Sequence, residues 1–145
     1  MKLSGETRPL RNDFAGETLY KRIEPDEVPH IRPDGLATTQ RVTLPGLSCW
    51  RSRHMTPEQL AATCECGVYA MPADDLPAPV PGKMRDGRLD TTYTFRAVDD
   101  PQRTDEAHCQ VWVFADDVPV VSEDPIPAKR RRKLKEALAS KLRRL

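Results

Sequence analysis

Residues 108–115 are the segment that most constrains the fold of this chain. In a strand the side chains alternate between the two faces of a sheet, so four residues of this segment share each face. One face carries Cys109, Val111, Val113 and Ala115, and the other carries His108, Gln110, Trp112 and Phe114. Because bulky apolar side chains occur on both faces, we expect a strand inside a sheet that is covered on two sides.

Shorter apolar segments predict the neighbours of this strand. They are residues 19–23, 41–44, 68–71, 93–98 and 118–121. The last of them is expected to pair with residues 108–115 across a turn at Asp116-Asp117. Residues 72–90 contain four prolines and two glycines, and this composition predicts a surface loop.

A short helix is indicated after Thr56. Thr56, Pro57 and Gln59 supply an N-cap, a first-turn proline and the second half of a capping box. We expect this helix to run to about Cys64.

These elements predict a single small α+β domain with an antiparallel or mixed sheet, one short capped helix and a basic C-terminal helix. The length of 145 residues suits one such domain. We divide the chain into a loose N-terminal arm (residues 1–18), an α+β body (19–123) and a Pro-initiated basic amphipathic helix (124–145).

Residues 1–18 show no hydrophobic secretory segment, and no apolar run approaches the roughly 20 residues that cross a bilayer. A cytoplasmic location without a membrane partner is therefore expected.

Charge is distributed unevenly along the chain. The formal net charge is +1, yet residues 129–145 contain nine Lys and Arg residues and a single acidic residue. Residues 1–128 contain the other 14 basic residues and 21 acidic ones. An acidic body with a basic terminal segment is typical of chains that bind nucleic acid or an acidic protein surface. Arginine outnumbers lysine by 16 to 7, which favours a GC-rich bacterial source.

The basic residues of the terminal segment are the candidate partner-binding residues: Lys129, Arg130, Arg131, Arg132, Lys133, Lys135, Lys141, Arg143 and Arg144. Four leucines at helical spacing form an apolar face on the same helix: Leu134, Leu138, Leu142 and Leu145. That face can pack on the body of the same chain, on a second copy or in a partner's groove, and the first is favoured. Since residues 19–121 already supply the strands of a core, we expect deletion of residues 129–145 to harm binding more than folding.

Two histidines and two arginines suggest an alternative, enzymatic function. Arg51, Arg53 and His54 lie close together before the capped helix, and His108 begins the predicted central strand. Two histidines can act as base and acid in phosphodiester cleavage, while a guanidinium binds the anionic oxygen. The alternative is therefore a small nucleic-acid-cleaving or nucleotide-modifying enzyme, such as a toxin or defence factor, with these four residues as catalytic candidates.

The cysteines raise the question of a bound zinc ion. Cys64, Cys66 and Cys109 are the candidate ligands, because Cys64-Glu65-Cys66 and His108-Cys109 form two pairs of soft ligands. Structural zinc sites mostly place two to four residues between paired cysteines, and adjacent strand residues point to opposite faces. We therefore expect no cofactor, and a zinc-stabilised adaptor remains a further alternative.

The function favoured by the sequence is that of a small cytoplasmic binding component. It would engage nucleic acid or a larger protein partner through the basic C-terminal helix, and catalysis is not expected.

Overall fold

An antiparallel sheet of seven strands forms the centre of the computed structural model, which describes residues 14–25, 31–62, 67–81, 84–85, 88–89, 91–99 and 107–145. The strands are β1 (Thr18–Arg22), β2 (Gly46–Arg51), β3 (Val68–Pro72), β4 (Met84–Arg85), β5 (Arg88–Leu89), β6 (Tyr93–Asp99), β7 (His108–Ala115), β8 (Val118–Pro119) and β9 (Arg143–Arg144). The order across the sheet is β6-β7-β2-β1-β3-β9, with β8 paired to β7, while β4 and β5 form a separate hairpin. Two α-helices lie within the described ranges, α1 (Pro57–Ala61) and α2 (Ala128–Ala139). The predicted single sheet with a short helix and a C-terminal helix is confirmed, and this arrangement is compatible with the α+β class.

Strand β7 occupies the central position that its sequence predicts. It lies between β6 and β2, and seven of its eight residues are buried. Trp112 is 3% exposed and Val113 is fully buried, one on each face of the sheet. The turn to β8 also forms as predicted, because Asp116 and Asp117 adopt the left-handed conformation (φ 47° and 67°) that a two-residue hairpin turn requires.

The indole of Trp112 packs over a glycine on the neighbouring strand. Gly46 pairs with Trp112 in the β2–β7 ladder, and a Cβ atom at Gly46 would overlap two carbons of the indole ring. The indole Nε1–H donates a buried hydrogen bond of 2.8 Å to the carbonyl of Val120. Trp112 forms a separate apolar cluster with Val98 and Phe114, and this cluster covers the second face of β7.

Helix α2 packs on its own chain. Leu134, Leu138 and Leu142 are fully buried and belong to the main core cluster of the protein, together with residues of β1, β2, β3, β6 and β7. Removal of residues 129–145 would take three buried leucines out of the core, and this cost to the fold weighs against the expectation that the deletion harms binding more than folding, which stays a prediction. Leu145 does not join this face and is exposed.

The chain after α2 returns to the sheet and does not continue as a helix. The predicted helical segment 124–145 is helical only from Ala128 to Ala139, and β9 then pairs with Tyr69 and Ala70 of β3. The backbone of this segment also bonds to residues 35–37, through Ala37 N–H to the Leu142 carbonyl and Arg144 N–H to the Gly35 carbonyl. The last residues are therefore held between two other parts of the chain.

Two predicted elements differ from the structure between residues 39 and 89. Residues 41–44 do not form a strand. Val42 and Leu44 are buried in the core, but a turn of 3-10 helix ends at Arg41, Pro45 has no N–H to donate to a ladder, and the next strand is Gly46–Arg51. The predicted surface loop at 72–90 contains a 3-10 turn (Ala73–Asp75) and the β4–β5 hairpin.

The capping box of α1 is confirmed. The Gln59 backbone N–H donates to Thr56 Oγ1 (3.1 Å), and the Thr56 N–H donates to Gln59 Oε1 (2.9 Å). The helix ends at Ala61, earlier than predicted, and residues 63–66 lie outside the described part of the chain.

Residues 1–13 of the predicted N-terminal arm also lie outside the described part, whereas Phe14 and Glu17 are buried against the body. None of the described helices has the length and apolar character needed to cross a bilayer.

Candidate functional site

Arg51, one of the catalytic candidates, is held in a buried ion pair. Its guanidinium is 2% exposed and donates from Nε to both carboxylate oxygens of Glu17 at 3.1 Å, and from Nη2 to one of them. It also lies over the Phe14 ring, 4.2 Å from the ring centroid. Burial raises the pKa of Glu17, but the hydrogen bonds and charges of Arg51 and Arg53 lower it more, so this pKa lies below its usual value. These contacts make Arg51 an anchor between β1, β2 and the chain before β1.

The other three catalytic candidates lie in two different environments. His108 is 5% exposed, and its ring stands edge-on to Trp50 with the centroids 5.1 Å apart. Arg53 and His54 are exposed in the turn that follows β2, where the His54 N–H donates to the Arg51 carbonyl. The structure therefore places one histidine in the sheet and the other at the surface, and it does not bring the four side chains into one open site.

The cysteines within the described residues are not arranged around a metal. Cys49 and Cys109 form no disulfide, lie opposite each other on β2 and β7, and are fully buried. Burial raises the pKa of Cys49 to about 12. Groups of three or more His, Cys, Asp or Glu side chains suited to a metal are absent from the described ranges, and Cys64 and Cys66 lie outside them.

Some basic residues of the terminal segment contact the protein's own surface. Arg131 Nη1 and Lys135 Nζ lie 3.1 and 3.8 Å from the carboxylate of Glu123. Lys141 Nζ lies 3.0 Å from Asp75, and Arg130 Nη1 donates to the carbonyl of Pro81. These contacts bind the flanks of the segment to the body of the protein.

Three basic side chains form an exposed stripe that we term the α2 basic face: Lys129, Arg132 and Lys133. Their spacing of three and one residues places them on the side of α2 opposite to Leu134 and Leu138. No described carboxylate lies within ion-pair distance of any of the three. Arg143 and Arg144 are exposed as well, on the edge strand β9.

A cleft of about 350 Å³ opens between β1 and β2. The two strands pair only over Leu19–Tyr20 and Trp50–Arg51, although β1 continues to Arg22 and β2 begins at Gly46. Beyond the paired residues the strands separate, so that the cleft lies within the sheet and not at its outer edge. Its lining residues are Lys21, Arg22, Glu24, Gln40, Thr43, Leu47, Ser48 and Trp50.

The cleft combines positive charge with an aromatic surface. The Arg22 guanidinium lies over the Trp50 ring, 4.9 Å from its centroid, and Lys21 Nζ donates to the Arg22 carbonyl at 3.1 Å. Ser48 is exposed in the cleft and its hydroxyl accepts from Gln110 Nε2. A cationic group stacked on an aromatic ring beside neutral hydroxyls and amides suits a ligand that is both planar and anionic.

The 3-10 turn Thr39–Arg41 connects the cleft to α2. Gln40 lines the cleft, while the adjacent Thr39 lines a second opening of about 250 Å³ together with Arg131, Arg132 and Lys135. Basic side chains therefore border the same turn on both sides. Lys21, Arg22, Gln40 and Trp50 were not predicted from the sequence, because no local motif joins residues from three separate segments.

Comparison of the chain with protein-family models, with curated proteins and with solved structures gives no match in any of the three.

Proposed function

We propose that this protein is a nucleic-acid-binding component that contacts phosphates through the α2 basic face. The observation that carries the proposal is the separation of α2 into two faces. Leu134 and Leu138 fix the helix in the core, so that Lys129, Arg132 and Lys133 are not needed to hold it. They extend into solvent from a rigid support, as phosphate-binding side chains must. We also propose a cytoplasmic location, which fits the thiols of Cys49 and Cys109 that form no disulfide.

The position of these charges in the helix supports the proposal. The first turn of α2 contains no acidic residue, and no side chain caps its N-terminus. Positive charges near a helix N-terminus oppose the helix macrodipole and cost about 0.3–1 kcal/mol each. A phosphate bound beside Lys129 and Arg132 would offset this repulsion and would also meet the exposed N–H groups of the first turn.

Nucleic acid suits the surface better than an apolar protein partner does. Protein interfaces concentrate apolar side chains at their centre, whereas phosphate recognition requires basic side chains. Large apolar side chains exposed in the described part of the chain are limited to Val118, Val121 and Leu145. The leucine face of α2, which the sequence offered as a surface for a partner's groove, is covered by the protein's own core.

Salt-dependent binding of an oligonucleotide tests the proposal. Affinity of the full chain for a fluorescein-labelled strand of about twelve thymidines, a length within the range of known single-strand sites, is measured by anisotropy between roughly 50 and 200 mM salt. Replacement of Arg132 and Lys133 by glutamine removes two phosphate contacts. The slope of log affinity against log salt should become shallower by about 1.4, or about 0.7 for each contact to a single strand.

A matched variant controls for the loss of charge alone. Arg32→Gln with Arg53→Gln removes the same number of exposed positive charges outside α2, and it should leave the slope close to that of the wild type. The α2 double variant should keep the wild-type melting temperature, because its substituted side chains are exposed, whereas the control should lose a small part of it, since Arg32 pairs with Asp34 and the charge of Arg53 acts on Glu17. Equal slopes for the two double variants, or no binding by the wild type, would refute the proposal.

A further inference from the structure

We infer that the cleft between β1 and β2 binds one unstacked nucleotide of a single-stranded nucleic acid whose neighbouring phosphates lie on the α2 basic face. This inference rests on the proposed function and adds to it a second contact site and a preference for single strands.

The chemistry of the cleft matches the two parts of a nucleotide. The base is planar, and aromatic rings and guanidinium planes are the surfaces on which proteins stack unpaired bases. Trp50 and Arg22 supply one surface of each kind, and because the guanidinium lies over the indole, the entering base takes its place on Trp50. The phosphate is anionic, and among the described residues that line the cleft Lys21 and Arg22 supply two positive charges and Glu24 one carboxylate.

The hydrogen-bonding groups of the cleft suit a base edge. Gln40, Thr43 and Ser48 line the opening, and the amide and hydroxyl groups of these residue types can both donate and accept. A volume of about 350 Å³ lies within the range of small-molecule sites and accommodates one nucleotide, but not a base pair. A base must leave a duplex to enter it, so the cleft favours strands that are already unpaired.

The path between the two sites is short in sequence. Of the basic side chains beside it, Arg131 and Lys135 pair with Glu123, whereas Arg132 belongs to the α2 basic face. Thr39 borders Arg131, Arg132 and Lys135, and the next residue, Gln40, borders the cleft. A strand that lies along α2 therefore reaches the cleft across a single turn of the chain, with basic side chains before and after it.

Tryptophan fluorescence provides a direct test of stacking. The sequence contains two tryptophans, and Trp112 is buried, so the response of the wild type to a ligand in the cleft comes from Trp50. Titration with the strand of about twelve thymidines should quench this emission, and the quenching should be lost in Trp50→Leu. The same variant should bind the single strand about tenfold more weakly with an unchanged salt slope, since it removes stacking and no charge. Its affinity for a duplex of the same length should stay at the wild-type value.

A second variant tests the cleft without loss of packing. Ser48→Glu places a negative charge at an exposed position of the cleft, and Ala62→Glu places the same charge at an exposed position after α1. Single-strand affinity should fall at least fivefold more in Ser48→Glu than in Ala62→Glu.

The outcomes separate the two proposals. If Trp50→Leu and Ser48→Glu bind the single strand as tightly as the wild type, while Arg132→Gln with Lys133→Gln weakens it, the cleft assignment is wrong and the α2 basic face stands. If the wild type binds neither strand nor duplex, both proposals are wrong. Parallel titration with a uridine strand of the same length distinguishes RNA from DNA, and quenching by either one supports the cleft assignment.

Discussion

Gly46→Ala tests how tightly β2 and β7 are packed. No positive φ restricts Gly46, so the backbone itself accepts alanine, and the effect depends on the space above the residue. The added methyl group would overlap Cε3 and Cζ3 of Trp112, and the indole cannot shift without disturbing its hydrogen bond to Val120. Overpacking costs about 1–3 kcal/mol, and loss of a buried hydrogen bond costs about 1–3 kcal/mol. We therefore expect Gly46→Ala to lower the free energy of unfolding by about 2–4 kcal/mol.

A double-mutant cycle shows whether the indole is the cause. Urea unfolding, followed by circular dichroism, gives the free energy of unfolding of the wild type, Gly46→Ala, Trp112→Leu and the double variant. In the Trp112→Leu background the alanine methyl has room, so the second substitution should change the free energy by less than about 1 kcal/mol. An equal cost of Gly46→Ala in both backgrounds, or an increase in stability in the wild-type background, would refute the packing argument.

Three further predictions follow from the buried groups. Glu17→Gln leaves the Arg51 guanidinium buried without its counter-charge and should cost about 3–5 kcal/mol in urea unfolding. Since the pKa of Glu17 is lowered in the folded protein, its stabilisation should be present above the usual carboxyl pKa and lost as the pH falls through the folded value, and Glu17→Gln should remove this part of the pH dependence. Leu138→Ala removes a fully buried side chain from the main core and should cost about 2–5 kcal/mol, whereas an unchanged unfolding midpoint would show that α2 does not contribute to the core. Cys49 and Cys109 should resist alkylation by iodoacetamide at neutral pH and react in denaturant, because both are buried and the pKa of Cys49 is raised to about 12. The modified residues are identified by mass spectrometry of peptides from protein labelled before unfolding. Alkylation of either cysteine in the folded protein would contradict the prediction.

Elements with a strong local pattern could be predicted from the sequence. The alternation in residues 108–115 identified β7, the Thr56 capping box located the start of α1, and Asp116-Asp117 marked the turn to β8. In each case the residues that determine the element lie within a few positions of one another, so the pattern is visible in a short stretch of sequence.

The elements that were missed depend on contacts between distant segments. Strand β9 consists of two exposed arginines and forms because its backbone pairs with Tyr69 and Ala70, which leaves no pattern in its side chains. Arg51 was a catalytic candidate from its sequence neighbours, and its ion pair was missed because the partner, Glu17, lies 34 residues earlier.

The cleft was missed for a related reason. It exists because the β1–β2 ladder ends after two pairs, and a sequence pattern does not show where a ladder ends. The basic stripe on α2 was visible in the sequence, but which of its residues contact Glu123, Asp75 or Pro81 was not.

The position of β9 has a consequence for the synthesis of the protein on the ribosome. Residues 142–145 bond to β3 and to residues 35–37, and Leu142 is part of the core, so the core cannot close until residues 142–145 have left the ribosome. A nascent chain that has reached only β8 exposes one edge of β3 and the apolar surface that α2 covers later. Unpaired strand edges recruit other chains, and incomplete intermediates aggregate through exposed apolar surface. Closure of this core is therefore expected to follow the emergence of residues 142–145, and until then its unpaired strand edge stays open to other chains.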